Sequence, residues 1–312
     1  MNSPTNCNWL SLLITLAQVI RKAVYPWLNS ESARQLSGVA HSGDVTFQLD
    51  TIAEQAVETF LTQQQVPLAY YTEDRGLVCV AASPEYLLII DPIDGTRPGY
   101  SGFEASVVSI AMCRYSDQPK FREISHAVVL ELKSGNLFYA EKGRGTVVCS
   151  TDPQLAVRLS KNCALDRLRW SFEVVGRPIA EIVNRIGPLI DQSSFRGGVY
   201  LFNSSAFALT RLVTGQLDAY IDITGRRGEE VPQRNRNLPR SPHQPIMGLF
   251  AYDIAAAYLI LKEAQCWISD DCGESLDDRS LISSATLSCV AASNLDLHKK
   301  LIDWLTAKNE LR

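Results

Sequence analysis

Asp91 and Asp94 stand in the stretch YLLIIDPIDGTRPGY with only Pro92 and Ile93 between them, directly after an apolar run. Two anions that close must be solvated, protonated or matched by a cation. Other acids recur in comparable settings: Asp50 at the start of an apolar-periodic segment, Glu73 and Asp74 after the short run LAYYT, and Asp253 at the opening of YDIAAAYLI. Singly, each has an ordinary structural explanation. Asp50 and Asp253 suit helix caps, Glu73 with Asp74 a solvated turn, and Asp-Pro and Asp-Gly are turn formers. Together they are hard oxygen ligands of the kind Mg2+ takes, with water and a substrate phosphate completing the shell. No His or Cys falls beside them, which argues against zinc. Sites of this composition run hydrolysis with two cations, one acidifying an attacking water and one stabilising the leaving oxygen.

The elements around these acids must bring them to one edge. YLLII reads as a strand buried on both faces, and Pro92, which cannot donate a ladder hydrogen bond, is expected to end it. Asp91 then lies at a strand's carboxyl end, where open α/β sheets bind ligands. Trp9, Leu12, Leu13, Leu16, Ile20 and Val24 recur at helical spacing and predict an amphipathic first helix ending near Pro26. Ile52, Ala56, Val57, Phe60 and Leu61 mark a second helix. LAYYT and ASVVSIAMC read as further strands, and HAVVLELKSGNLFYAEKGRGTVVCS as strands joined by turns at Lys133–Asn136 and Lys142–Gly145.

Helix and strand alternate in the second half. LRWSFEVV reads as a strand, PIAEIVNRIGPLI as a helix opened by Pro178, and NSSAFALTRLVTG as a helix capped at Asn203 or Ser204 and stopped by Gly215. LDAYIDI, CWISD and LSCVAA are strand-like, YDIAAAYLILKEA is helical, and a last helix starts near Asn294. Layered α/β is the fold class expected, with an N-terminal half 1–150 and a C-terminal half 151–312 forming one compact unit. Thr224 to Gly248 breaks the rhythm with four prolines, three glycines and five arginines, a loop that is either functional or disordered.

Composition narrows the classes. Hydrophobic residues make up 46% and charged residues 21% of the 312, ordinary values that exclude a disordered chain and a membrane bundle. A net charge of -4 gives no general attraction to nucleic acid or to anionic membranes, so an anionic ligand must be met by local charge. The eight cysteines show neither a C-x-x-C pair nor a zinc spacing, which fits reduced, mostly buried thiols in a cytoplasm. The first apolar run is too polar to span a bilayer and lacks the marks of a signal peptide.

The sequence from Asp91 to Thr96 resembles the D-P-x-D-G-[ST] signature of the inositol monophosphatase and fructose-1,6-bisphosphatase superfamily. Asp50 matches the acid of that family's second helix, TED its Glu-Glu element, GNLFYAEKGRGTV its hairpin, NSSAFALTRLVTGQLDAYID its substrate-contact stretch and YDIAAAYLILKEA its W-D-x-A-A-G helix. The resemblance implies an α-β-α-β-α sandwich and a phosphoric monoester hydrolase. It also implies two or three Mg2+ ions held by Glu73, Asp91, the Ile93 carbonyl, Asp94 and Asp253. Glu73 and a dyad of Thr96 with Asp50 would activate water. The amides of Gly95 and Thr96 would cradle phosphate if a helix starts there, with Arg97, Ser204, Ser205 and Asp222 as further substrate contacts. Lithium inhibition and a homodimer belong to the same implication.

Departures from the family pattern sit near the pocket. RPGYSGFEAS follows the signature where Thr-Asn-Phe is common, so Arg97 is either a substrate clamp or a partner for an acid such as Glu104. Asn203 replaces a usual Gly and Tyr252 a usual Trp. The loop after Asp222 puts Arg226, Arg227, Arg234, Arg236 and Arg240 either against a second phosphate or in solvent beside Glu229 and Glu230. The function expected is hydrolysis of a small polyol or sugar monophosphate such as inositol monophosphate. The alternatives are a bisphosphate (3'-phosphoadenosine 5'-phosphate or fructose 1,6-bisphosphate) and a non-catalytic phospho-ligand or RNA binder using the 224–248 loop. The intact acid set and the acidic net charge argue against the last. KGRG is a lone G-x-G, most simply a hairpin turn rather than a dinucleotide site.

Overall fold

A computed structural model describes residues 8–41, 45–64, 66–177, 179–224 and 248–309. The chain opens with helix α1 (Trp9–Val24), a ribbon of β1 (Leu36–Val39) and β2 (Val45–Phe47), and helix α2 (Gln48–Gln63). Strands β3 (Leu68–Thr72), β4 (Gly76–Cys79) and β5 (Tyr86–Asp94) follow, then the short helix α3 (Thr96–Tyr100). β6 (Val107–Arg114), β7 (His126–Glu131), β8 (Leu137–Glu141) and β9 (Thr146–Cys149) complete a seven-stranded sheet in the order β4-β3-β5-β6-β7-β8-β9. The second half runs β10 (Arg169–Ser171), α4 (Ile179–Ser194), β11 (Gly198–Tyr200), α5 (Ser205–Val213), β12 (Ala219–Asp222), α6 (Ala251–Glu263), β13 (Trp267–Ser269), β14 (Cys289–Ala292) and α7 (Leu295–Asn309). Its five-stranded sheet is ordered β11-β10-β12-β14-β13.

Three apolar clusters stack these elements into five alternating layers. One joins α1 and α2 to a face of the large sheet through Leu16, Ile20, Val57, Leu88 and Ile90. The next joins the opposite face, through Leu87 and Ile89, to α5, α6 and one face of the small sheet. The last packs α4 and α7 on the small sheet's other face, with Trp170 and Ile221 at its centre. The α-β-α-β-α sandwich follows. Leu87 to Ile90 alternate between two buried faces, which is why that segment is apolar at every position. α6 lies between two sheets and is apolar nearly all round, whereas α1 covers only one sheet and keeps a polar face.

Several elements depart from the sequence reading. β5 does not stop before Pro92 but runs on to Asp94, with a register irregularity between Asp91 and Asp94 against β6. Pro92 falls inside that bulge, where no ladder donor is required. β10 ends at Ser171, so Phe172 to Val175 leave the sheet instead of extending it. β4 and the β1–β2 ribbon, short and partly exposed, carry no clear alternation and were not anticipated. Of the seven described cysteines, all free thiols, only Cys113, Cys266 and Cys289 are buried. KGRG is the β8–β9 turn, its Gly143 and Gly145 amides each donating to the Glu263 carboxylate at 2.8 Å. The arginine-rich segment lies outside the described residues except for its ends, Thr224 and Gly248. Among the described residues no helix is long and apolar enough to cross a membrane.

Candidate active site

The bulge at the end of β5 shapes a cleft. Asp91, Ile93, Asp94, Gly95, Thr96 and Arg97 line it from one continuous segment, and Glu73 joins them from the loop after the neighbouring strand β3. β3 and β5 are parallel, so their carboxyl ends lie together. Asp253, from the first turn of α6, and Ser204 and Ser205, from the start of α5, close the cleft from the middle helical layer. Gly95 makes the turn possible. Its φ is +86°, and a Cβ there would stand 2.4 Å from the Ala105 carbonyl oxygen and 2.9 Å from Ser204 Cβ.

Hydrogen bonds fix each acid. Asp94 accepts from Ser204 Oγ at 2.8 Å, the Ser205 amide at 3.3 Å and the Ala206 amide at 2.5 Å, and so caps α5 together with Ser204. Asp253 and Asp50 occupy the third position of α6 and α2 rather than the cap itself. Their carboxylates turn back to the amides of Phe250 (2.6 Å) and Phe47 (2.8 Å), the acid half of a capping box whose other half a Phe cannot supply. Asp91 accepts from the Ile93 amide at 3.0 Å. Thr96 Oγ1 lies 2.7 Å from Asp50 Oδ1 and 3.2 Å from the Ile93 carbonyl oxygen, and both are acceptors for its one proton. Asp50 lines a second pocket that opens beside the first and shares Glu73, Asp91, Thr96 and Arg97 with it.

The electrostatics are those of crowded anions. Burial raises the Asp91 carboxyl well above the usual range, and Asp94, Glu73, Asp253 and Asp50 push it further. Asp253 is raised by burial and then by Asp94. Asp94 is also raised by burial, to about 6, against the lowering effect of its hydrogen bonds from Ser204 and the α5 amides.

Asp222 is placed behind the cleft rather than on it. It is buried in an ion pair with Arg177 Nη2 at 2.9 Å and accepts from the Thr224 amide at 3.0 Å. The side chains that reach the cleft from that side are Glu173 and Arg177, neither anticipated from sequence. Glu173 falls within LRWSFEVV, read as strand, and Arg177 two residues beyond it; β10 ends at Ser171, and both line the wall. An acid within an apolar-rich strand pattern is the one local signal for Glu173, and Arg177, beyond that pattern, has none. Ser205 Oγ is engaged with Tyr220 Oη at 2.9 Å. Glu104, the alternative partner weighed for Arg97, pairs with Lys133 at 3.0 Å. Arg97 lines the cleft with its guanidinium 5.6 Å from the Phe47 ring centre.

Residues 8–309 match the family model described as the inositol monophosphatase family. The chain belongs to the inositol monophosphatase family. It is 24% identical over 303 residues to the fructose-1,6-bisphosphatase/inositol-1-monophosphatase of Methanothermobacter thermautotrophicus, covering 95% of this chain and 96% of that one. It is 24% identical to the bifunctional NADP phosphatase/NAD kinase of Methanococcus maripaludis, covering 94% of this chain and 48% of that protein. The extragenic suppressor protein suhB of Bartonella henselae has the same fold, with a TM-score of 0.70 at 19% identity over 95% of this chain and 97% of that structure.

Inositol monophosphatase family members are metal-dependent phosphoric monoester hydrolases, and the donor set of this chain fits divalent cations. The cleft gathers Glu73, Asp91, Asp94 and Asp253, all oxygen donors, with Asp91 and Asp94 buried. A carboxylate offers about four lone-pair sites. Asp91 and Asp253 each use one in the hydrogen bonds above, and Asp94 uses three, so each keeps capacity for a metal. A tighter group, Asp270, Asp271 and Cys272, behaves differently. Asp270 accepts from the Cys272 and Glu274 amides and from Arg279, and Asp271 from Ser288 and Arg185, which makes this group a braced turn.

Proposed function

We propose that the chain hydrolyses small polyol or sugar monophosphates, inositol monophosphate among them, with Mg2+ held by Glu73, Asp91, the Ile93 carbonyl, Asp94 and Asp253. The observation that carries this reading is the gathering of Glu73, Asp91, Asp94 and Asp253 around one open cleft, with Asp91 and Asp253 pushed toward protonation by burial and by neighbouring acids. When bound, the cations supply Lewis acidity toward water and the phosphoryl group. Thr96 Oγ1, donating to Asp50 Oδ1, turns an oxygen lone pair to a water in the cleft and passes that water's proton to Asp50. Glu73 orients the same water from the wall shared by both pockets. The Gly95 and Thr96 amides, at the start of α3, face the phosphate, and Arg97 stands beside them. Ser204 and Ser205 act first on Asp94, holding it in place through Ser204 Oγ and the Ser205 amide.

Phosphate release from inositol 1-phosphate, fructose 1,6-bisphosphate, 3'-phosphoadenosine 5'-phosphate and NADP, each with Mg2+ and with chelator, tests this reading. Release from a monophosphate that stops on chelation is expected. Release that survives complete chelation, or none from any substrate, would remove it. Arg97, a fixed cation on the cleft, favours fructose 1,6-bisphosphate as the second substrate to examine. Lithium inhibition and a homodimer belong to the same reading; an inhibition curve and a sedimentation experiment decide them.

A further inference from the structure

Helix α2 carries more of the cleft than Asp50. Glu54 and Glu58 follow Asp50 at intervals of four residues, so the three carboxylates lie along one side of the helix. Glu54 is 4% exposed and lines the second pocket together with Asp50, Glu73, Asp91 and Thr96. The chemistry described above gives it no task. Its counter-charge is Arg75, whose Nε stands 3.3 Å from Glu54 Oε2 and whose Nη1 stands 2.9 Å from Glu58 Oε2. One guanidinium thus spans about a turn of α2.

Arg75 reaches α2 from a loop with little slack. Thr72 of β3 pairs with Gly76 of β4, so Glu73, Asp74 and Arg75 are the whole connection between two hydrogen-bonded strands. The loop is held from a second side as well. Asp74 Oδ1 accepts from Thr46 Oγ1 of β2 at 2.6 Å, and the Asp74 carbonyl from the His41 amide at 3.2 Å. Inside the loop the Arg75 amide donates to Thr72 Oγ1 at 3.2 Å. Arg75 itself lines neither pocket, so it stands back from the reacting groups. Breaking a buried ion pair on one side is costly, because the remaining charge loses its counter-charge. Glu54 therefore keeps Arg75 over α2, and the loop with it.

We infer that Arg75 is a positioning residue: through Glu54 and Glu58 it sets the Glu73 carboxylate in register with Asp50, so that the cation donors and the water-activating dyad are assembled against one helix. The inference rests on the phosphatase reading above, in which Glu73 binds a cation and orients the water that Asp50 deprotonates, and it deepens that reading. A loosened Glu73 weakens cation binding and slows the chemical step, while the phosphate contacts at Gly95 and Thr96 stay in place. The effect of Arg75 therefore falls on the Mg2+ requirement and on kcat, and not on KM for the substrate at saturating Mg2+.

Two Mg2+ titrations test it, one following phosphate release from inositol 1-phosphate and one following the melting temperature without substrate. They compare wild type, R75A, R75K, E54Q and the R75A/E54Q double variant, each checked for folding by circular dichroism. R75A is expected to raise the Mg2+ concentration for half-maximal release about tenfold and to lower kcat about tenfold. The midpoint of the Mg2+-dependent rise in melting temperature should move in the same direction. R75K, a cation without the planar fork, is expected to recover part of the loss. E54Q removes the charge that holds Arg75, so the double variant should be little worse than R75A. An unchanged Mg2+ requirement in folded R75A, a lower melting temperature with no change in that requirement, or additive losses in the double variant overturns the inference. Those outcomes leave the phosphatase reading standing. A wild type that releases no phosphate yet melts higher with Mg2+ removes the phosphatase reading, and the melting titration then decides the inference. A wild type indifferent to Mg2+ in both titrations removes both.

Discussion

Asp94 and Thr96 stand two residues apart and are held from different directions, one by the start of α5 and the other by Asp50 in α2. Neither is free to turn, so the oxygen atoms they present to the cleft are set before any ligand arrives. Thr96→Ala removes the hydroxyl that bridges the cleft to Asp50 and leaves the Asp50–Phe47 bond intact. The expected result is a fall in kcat of about 10²-fold or more, with a stability cost of about 1 kcal/mol. Thr96→Ser should recover most of the rate. A wild-type kcat in Thr96→Ala would take the Thr96–Asp50 dyad out of the proton path. The spacing of Asp91, Asp94 and Thr96 was visible in the sequence; the partnership with Asp50, 46 residues earlier, was reached only through the family resemblance and has no local signature.

At the scale of elements, the cleft depends on how β5 hands the chain to α3. The bulge from Asp91 to Asp94 carries the strand through Pro92, and Gly95 then turns it with a positive φ in a space too small for a side chain. Gly95→Ala combines left-handed strain with a contact of 2.4 Å to a backbone oxygen. It is expected to destabilise the fold by about 2–4 kcal/mol and to displace Asp94 from the α5 amides. Urea unfolding reports the first effect and loss of phosphate release the second; a midpoint equal to wild type would show that the turn can relax. Periodicity located nearly every helix and long strand, because an apolar face is written directly into the residue order. It misplaced the ends of β5 and β10, because bulges and early strand exits depend on which partner strand is available.

The molecule as a whole brings acids from Glu73 to Asp253 to the junction of the large sheet and the middle helices. Divalent cations bound there would tie those layers together, so Mg2+ should raise the melting temperature and chelator should lower it. A melting temperature indifferent to Mg2+ at millimolar concentrations would speak against the cation site. A second, remote dependence lies in the outer layer. Burial holds His298 of α7 below its ordinary pKa of 6.5, against a raising contribution from the Val290 backbone, with its Nε2 at 2.9 Å from Ser269 Oγ. The unfolded chain takes up that proton first as pH falls. The stability this neutral imidazole allows is therefore present above about pH 6.5 and is lost as pH falls toward the depressed folded value. His298→Gln should flatten the dependence of the urea midpoint between pH 7 and pH 5; an equal slope in the variant would place the effect elsewhere.

The residue order by itself determined the layered α/β class and the acids at strand ends and helix starts, because burial patterns and turn chemistry are local properties of a chain. Tertiary structure decided what stands opposite those acids. β10 stops at Ser171, Glu173 and Arg177 swing into the cleft, and Asp222, the acid expected there, is drawn behind it by Arg177. Which member of a buried charge pair lines the cleft is settled by the packing of distant elements around it, and no spacing along the chain records that choice.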